Sequence, residues 1–432
     1  MENVFADKVK TVYYVAIAAL MYYFLTETVN LRVFVTYRHA FALVIAFSGI
    51  ADFLYRPDIA RGAAAAKSAL VYSLPLAVTL FVSLFIWFTE QADTAIIARG
   101  LSGAFIYTNM LSFALAAAAF LYIFGERGIW YNLIAALAAN LLMIVTIIAQ
   151  YGFAGYFSEL ITLIRTFATE TGDIIVHSEL HELAFCLGAY LIYMIMKPKR
   201  NIAFAIMFIL TLFCFLTAFK RIAIIAIIIA LAFGFLLKLT ARLSKKAAVR
   251  GAIFLSAAVV VLLIAYVAAI KADAFDVLEH MGIDTSGRAD IYNAVDKFYK
   301  FSPAFMGRGI GFLTYQLSTN MHVGVTSVHN DFLQYFIDLG FWGYILWLLS
   351  MTVVRVCFFG SGGRTDGAIT AFTLTLYLII VSMTDNTMNY PLLTLEMAIL
   401  MIGNGFNEDV KRTEMKIFGY ISEDGGTGGK RL

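Results

Sequence analysis

Long uninterrupted apolar runs constrain what this chain can fold into. Of its 432 residues, 61% are hydrophobic and only 14% are charged. A helix needs about 20 apolar residues to cross the hydrocarbon core of a bilayer. Backbone groups cannot stay unpaired in lipid, and no run shows the alternation of a barrel strand. The sequence therefore predicts an all-α polytopic membrane protein with about twelve transmembrane helices, at 11–25, 40–53, 69–88, 102–124, 130–150, 182–196, 202–219, 222–239, 252–270, 330–354, 368–383 and 391–402.

The basic residues predict the orientation of the chain. They concentrate in the short loops 56–67, 197–200 and 238–250, which lie on one side, and the positive-inside rule makes that side cytoplasmic. Residues 1–407 then form the helical bundle, with external loops at 151–181 and 271–328. Residues 408–432 form a cytoplasmic tail that is partly disordered, because it ends in a glycine-rich stretch. The net charge of +3 is too small to indicate a nucleic-acid partner.

The second external loop contains two elements. Residues 285–290 resemble a helix start, and Ile291, Tyr292, Val295, Phe298 and Tyr299 then recur at helical spacing. This pattern predicts an amphipathic helix that lies along the outer membrane surface and ends before Pro303. Next comes the segment Gly307-Arg308-Gly309-Ile310-Gly311. No strand precedes it, so we interpret it as a flexible turn rather than a nucleotide-binding loop.

The acidic residues and histidines between 159 and 182 in the first external loop allow two interpretations. His177 and His181 are spaced as i and i+4, which suits a metal site. The same residues also suit a solvated polar segment near a helix start, and this is the interpretation we adopt. The sequence predicts neither a metal site nor a cofactor.

Polar residues at the start of the span 330–354 are the first candidate site. His329, Asn330 and Asp331 follow a polar loop directly, and either Ser327 or Asn330 can cap the helix. The partial positive charge of a helix N-terminus favours a neutral histidine that can accept a proton. The alternative is that these residues are only a polar helix entrance at the water boundary.

The pair Lys220-Arg221 is the second candidate site. It stands at the N-terminal end of the span 222–239, on the external side. Arginine offers a planar donor fork and the helix end adds N–H groups, so a phosphate or diphosphate at headgroup level suits the position. Asp385, Asn386 and Asn389 lie on the same side and can orient these cations. The alternative is a snorkelling cation at a tight turn.

Several of these motifs together resemble the O-antigen ligase and polymerase family. The resemblance covers roughly residues 217–354 and has its most specific part in His329-Asn330-Asp331-Phe332-Leu333-Gln334, with Gly340 and Gly343 following. It also includes Lys220-Arg221, Ser286-Gly287-Arg288 and the segment from Pro303 to Gly311. The family often has a small hydroxyl residue where this chain has Lys220.

The resemblance implies an activity and a set of site residues. It implies transfer of a glycan from a polyprenyl diphosphate to an acceptor hydroxyl at the outer face of a bacterial cytoplasmic membrane, without a metal or nucleotide-sugar. By resemblance, Arg221 and Arg288 bind the diphosphate and His329 acts as base or orients the acceptor. We add Lys220, Arg308, Asn330, Asp331 and Asp385 as candidate substrate-binding residues.

Three activities within the family stay open: polysaccharide polymerase, O-antigen ligase and protein O-oligosaccharyltransferase. Among these activities we favour a polymerase. We also expect inversion at the anomeric carbon, because one backside displacement needs no enzyme nucleophile. A transporter or lipid flippase is the alternative from another class. That class more often shows paired repeats and broken helices near the midplane, which we do not find in the sequence.

Overall fold

The computed structural model describes residues 2–23, 35–90, 110–166, 180–282, 285, 287–319, 328–387 and 390–423. Its helices are α1 Glu2–Tyr23, α2 Val35–Tyr55, α3 Ile59–Glu90, α4 Met110–Phe124, α5 Arg127–Tyr151, α6 Phe153–Thr166, α7 Leu180–Met196, α8 Ile202–Thr217, α9 Arg221–Leu243, α10 Lys245–Lys271, α11 Ala274–His280, α12 Arg288–Val295, α13 Phe312–Thr319, α14 Asp331–Phe359, α15 Thr365–Ser382, α16 Pro391–Gly403 and α17 Phe406–Glu423.

The helices confirm the predicted all-α polytopic membrane protein. Six of those in the described ranges are long and apolar enough to cross a bilayer: α3, α5, α9, α10, α14 and α15. The apolar segments of α2, α4, α7, α8 and α16 are shorter. Each predicted apolar run falls on one of these helices or on α1, as far as the run lies within the described residues. Length and composition alone were sufficient for this part of the prediction.

Two apolar cores hold the bundle together. The larger one joins α1, α4, α5, α7, α9, α15 and α16, and the smaller one joins α3, α10 and α14 with the second external loop. Tyr292 and Val295 of α12 are buried in the smaller core, as is Tyr299 just beyond that helix. The predicted amphipathic helix therefore exists and ends before Pro303. However, its apolar face packs against the bundle instead of lying along the membrane surface.

The cation-bearing short loops meet at one end of the bundle, which we call the basic end. Lys197 donates a hydrogen bond to the Asn404 side chain there, and Arg364 pairs with Asp409 of α17. The Arg412 guanidinium donates to the Gly362 carbonyl over 2.6 Å. The first part of the predicted tail is thus helical and packed on the bundle, whereas the glycine-rich segment 424–432 lies outside the described residues.

The orientation itself is a testable prediction. Cysteines replacing Lys245 at the basic end and His280 at the opposite end are both expected to be accessible, because both native residues are exposed. A membrane-impermeant maleimide should label position 280 in intact spheroplasts, and position 245 only after the membrane is disrupted. The background should carry Cys357→Ser, since Cys357 is exposed while Cys186 and Cys214 are buried. Labelling of position 245 in intact spheroplasts would invert the topology.

Candidate functional site

A break in α14 sets the geometry of the site. Gly340 has φ 71° and ψ −178°, which no helix contains, so the helix changes course there. Every residue from 331 to 340 is buried, whereas side chains exposed on the bundle surface begin after the break, at Trp342 and Leu346. The first part, residues 331–339, is therefore a half-helix enclosed by protein.

The glycine segment of the external loop fills this break. The Gly309 N–H donates to the Asp338 carbonyl over 2.7 Å, and the Arg308 N–H donates to the Ile337 carbonyl over 3.0 Å. On the other side of the break, the Phe341 N–H donates to the Phe305 carbonyl over 2.9 Å. These bonds satisfy backbone groups that the interrupted helix leaves without partners. The segment predicted to be a flexible turn is thus packed into the break. We call residues 305–311 the plug.

The Asp338 side chain completes the connection. It is 2% exposed, and its carboxylate accepts hydrogen bonds from the backbone N–H groups of Gly311 and Leu313. These groups lie at the start of α13, where a carboxylate satisfies N–H groups that have no partner within the helix. Ser83 of α3 accepts from the Ile310 N–H over 3.0 Å. The loop, α3 and α14 are therefore joined through the plug.

Gly340→Ala is expected to disrupt the plug. A Cβ atom at Gly340 would lie 2.2 Å from the carbonyl carbon of Met306, and the positive φ adds strain for any side chain. We expect a loss of at least about 2 kcal/mol in the free energy of unfolding, measured as a lower melting temperature of the purified protein. The matched control is Gly282→Ala, because Gly282 has φ +79° but no atom within 4 Å of an added Cβ. Equal melting temperatures for the two variants would contradict the plug.

His329 stands just outside the half-helix with an unusual backbone. Its φ is 50°, in the left-handed region that non-glycine residues rarely adopt, and part of its surface is accessible to solvent. Asn330, which follows it, accepts from the Leu333 N–H over 3.1 Å and so caps the helix. Such strained conformations persist only where the surrounding structure imposes them. Of the two residues predicted to cap the helix, Asn330 makes the capping hydrogen bond, and Ser327 lies outside the described residues.

The Asn330 side chain points into the protein. Its amide donates to the hydroxyls of Tyr266 on α10 and Tyr292 on α12, over 2.9 Å in each case. Asn330 and Asp331 are both 0% exposed. The Asn330 amide is therefore held among buried tyrosines, and its contact with a substrate stays a prediction. The sequence predicts no role at the site for either tyrosine, because their residue type and spacing are also typical of core packing.

Lys220 and Asp385 form an ion pair at the start of α9. The Lys220 ammonium lies 3.1 Å from one carboxylate oxygen of Asp385. The other oxygen accepts from the Asn386 N–H over 2.8 Å and from the Tyr390 hydroxyl over 3.0 Å. Burial alone would raise the pKa of Asp385, but Lys220 and these donors hold that pKa below its ordinary value. Asp385 is therefore a carboxylate that orients Lys220.

Arg288 connects the external loop to the backbone beside Asp385. It begins α12, and its guanidinium donates to the Thr384 carbonyl over 3.0 Å, next to Asp385. A second donor lies 3.3 Å from the Thr285 carbonyl. The Nε atom is buried and has no hydrogen-bond partner among the residues that the structure describes. A ligand anion that enters the cluster can accept from this donor.

His329 lies close enough to Asp385, Arg288 and Lys220 for their charges to change its pKa. Partial burial lowers its pKa from the ordinary 6.5, Asp385 acts in the opposite direction, and Arg288 and Lys220 lower the pKa further. An imidazole with a lowered pKa is neutral at physiological pH and can accept a proton. The structure thus brings His329, Arg288, Lys220 and Asp385 together.

The other predicted site residues have different surroundings. Arg221 is the first residue of α9 and follows Lys220 directly, with a partly exposed side chain. Asp331 is buried at the first turn of α14. Arg308 is exposed, and its guanidinium lies 5.8 Å from the centre of the Phe312 ring, with Nε donating to the Phe298 carbonyl over 3.4 Å. These contacts hold Arg308 on the external loop, and its substrate contact stays a prediction.

Lys220→Gln should raise the pKa of His329. Removing the cation takes away a charge that disfavours imidazolium, while the carboxylate of Asp385 that favours imidazolium stays. Diethyl pyrocarbonate reacts with neutral imidazole, so the midpoint of His329 modification should move to higher pH, as measured by peptide mass spectrometry. The control Lys297→Gln removes an exposed cation on the loop and should leave the midpoint unchanged. An unchanged midpoint in Lys220→Gln would separate His329 from the cluster.

No group of three or more metal-ligating side chains occurs among the described residues. The acidic and histidine-containing stretch of the first external loop is only partly included, since 167–179 lie outside the described ranges. The absence of a metal site therefore stays a prediction.

Fold and site together define a multi-pass membrane protein with a cluster of cations, a carboxylate and a histidine at the end of the bundle opposite the basic end. Residues 206–348, about a third of the chain, match the family model of O-antigen ligase. This segment runs from α8 into α14 and includes Arg221, Arg288 and His329. Over this segment the chain is similar to the O-antigen ligase family, which is the family that the motifs predicted. No curated protein matches the chain.

Proposed function

We propose that the protein transfers a glycan from a polyprenyl-diphosphate donor to an acceptor hydroxyl, with inversion at the anomeric carbon and as a polysaccharide polymerase. An activity of the O-antigen ligase or polymerase type follows from the family match. The observation that carries the finer proposal is the convergence of Lys220, Arg288 and His329 around Asp385. This cluster combines an anion site with a proton acceptor.

The reaction needs both of these parts. The acceptor oxygen attacks the anomeric carbon and forms the new glycosidic bond, while the bond between that carbon and the diphosphate oxygen breaks. The diphosphate leaves with the bonding electrons and gains negative charge, which Arg221, Arg288 and Lys220 stabilise. The proton of the acceptor hydroxyl passes to neutral His329 and from there to solvent. Cations of the protein thus provide the counter-charge to the leaving group.

The depth of the site suits a lipid-linked donor. Lys220 and Arg221 stand where α9 begins, and His329 stands where α14 begins, so the cluster lies at the end of membrane-crossing helices. A diphosphate attached to a membrane-embedded polyprenyl chain reaches this level. With the positive-inside rule the basic end is cytoplasmic, and the site then faces outward from a bacterial cytoplasmic membrane.

Product analysis tests the proposal and separates its alternatives. The purified protein is mixed with a polyprenyl-diphosphate glycan in detergent or liposomes, after treatment with a chelator, and the products are separated by size. A ladder of lipid-linked glycans supports a polymerase. A single transfer to a different acceptor, either a lipid-linked core or a protein, would instead assign a ligase or a protein glycosyltransferase. Movement of intact donor across the membrane without transfer would indicate a flippase and overturn the proposal.

A further inference from the structure

The basic end of the bundle contains a cation-lined cavity, distant from the proposed active site. It has a volume of about 740 Å³ and lies between the start of α1, the start of α3, and the junction of α4 and α5. Among the residues that the structure describes, the lining contains Lys8, Lys10, Arg61 and Arg127, with Asp7 as the one carboxylate. The site cluster uses none of these residues. The charge of the lining favours an anion.

The remaining acidic groups nearby already have partners. Asp52 lies 2.5 Å from the Lys10 ammonium, and Asp58 accepts from the Arg61 backbone N–H over 2.9 Å. Lys8 and Arg127 are exposed to the cavity and to solvent. The four lining cations against the carboxylates of Asp7, Asp52 and Asp58 leave one net positive charge.

An apolar groove begins beside this cavity. It measures about 320 Å³ and lies between α2, α3 and α4. Its lining includes small residues such as Ala66 and Ala119, together with Leu115 and Tyr122. A Cβ added to Gly49 would lie 2.5 Å from the Ala119 Cβ, so α2 and α4 approach closely at this groove. The apolar lining of this groove suits a hydrocarbon chain.

Arg61 connects the two features. It lines the polar cavity, and its guanidinium lies 5.9 Å from the centre of the Tyr122 ring, which lines the groove. The Tyr122 hydroxyl in turn donates to the Arg56 carbonyl, where the chain passes from α2 to α3. Charge and apolar surface therefore meet at the level where a lipid headgroup joins its acyl chains.

We propose that this cavity and groove bind one anionic phospholipid of the leaflet at the basic end, with its phosphate among Lys8, Arg61 and Arg127 and an acyl chain along Ala66 and Leu115. Basic pockets between transmembrane helices commonly hold such headgroups. The lipid would join α1, α2, α3 and α4, which form the side of the bundle outside the segment matched to the family.

Native mass spectrometry of the full-length protein tests this site. The detergent-solubilised protein is incubated with equal amounts of phosphatidylglycerol and phosphatidylcholine that carry the same acyl chains. We expect retention of one phosphatidylglycerol with about tenfold preference, given the contribution of each cation to anionic lipid binding. Equal retention of the two lipids would overturn the proposal. Inorganic phosphate is added in a separate arm, and an equal rise in melting temperature with phosphate alone would assign a soluble anion instead.

Substitutions separate the headgroup from the chain. Lys8→Gln combined with Arg127→Gln changes only exposed side chains and should reduce the preference to about twofold or less. Lys246→Gln combined with Arg242→Gln is the matched control, because these exposed cations lie at the junction of α9 and α10. Ala66→Phe fills the groove and should weaken binding of both lipids, whereas Ala205→Phe, at an exposed position on α8, should not. Losses of equal size in the controls would contradict the site.

Discussion

Arg288→Ala is expected to lower glycan transfer about 10³-fold, the scale of losing one donor that stabilises developing negative charge. The Arg288 guanidinium reaches from α12 to the Thr384 carbonyl and presents a buried Nε donor beside Lys220 and Asp385. In the proposed reaction, its removal would leave the diphosphate with fewer counter-charges in the transition state. The measurement is the turnover of purified protein with a polyprenyl-diphosphate glycan.

Two comparisons make this result specific. Arg288→Lys keeps a charge but not the planar fork, so it should recover little activity. Lys297→Ala removes an exposed cation from the same loop and should change turnover at most a few-fold. The melting temperatures must stay close to that of the native protein, because Arg288 also fixes α12 to the turn after α15. Full activity in Arg288→Ala would make the residue a structural link only.

His329→Ala is expected to lower turnover by ~10²–10⁴ while donor binding changes little. The imidazole has a lowered pKa and stands beside the cations that would hold the diphosphate. In the proposed mechanism the neutral form accepts the proton, so native activity should fall as the pH drops through this pKa, at a pH below the ordinary 6.5 of a histidine. Turnover and donor affinity are measured separately across that range.

The backbone at His329 requires its own control. Alanine at φ 50° adds strain, whereas asparagine adopts the left-handed region more easily. His329→Asn should therefore retain the native melting temperature but not the activity. His329→Gln keeps a polar side chain of similar reach. Near-native turnover of His329→Gln with an unchanged pH profile would exclude the role as a base and leave His329 as a positioning residue.

The sequence was sufficient for features that depend on one segment at a time. A run such as 252–270 predicts a helix because its length and composition leave no other structure in lipid. The cap at Asn330 and the helix that begins at Arg288 were also predictable, since caps and amphipathic spacing are local. The motifs around His329 and Arg288 led to the family for the same reason.

Features that depend on contacts between segments could not be predicted. Gly307 and Gly340 are 33 positions apart in the sequence, and only the fold shows that one backbone fills the break in the other. The apolar face of α12 has the same pattern whether it meets lipid or protein, so the burial of Tyr292 was not evident. The charge-rich α17 was interpreted as tail, because its contact through Arg364 joins residues 45 positions apart.

Because of the break at Gly340, the position of the half-helix behind His329 does not depend on the thickness of the bilayer. Only the part of α14 after the break, 341–359, has side chains exposed on the bundle surface, and at 1.5 Å per residue it spans roughly 28 Å, close to the hydrocarbon thickness of a bilayer. A thicker or thinner membrane would be accommodated by tilting of this part. The half-helix behind His329 is enclosed by protein and fixed by the plug, so it does not have to tilt together with residues 341–359. Hydrophobic mismatch would then change the tilt of the span while the distances between His329, Arg288 and Lys220 stay the same.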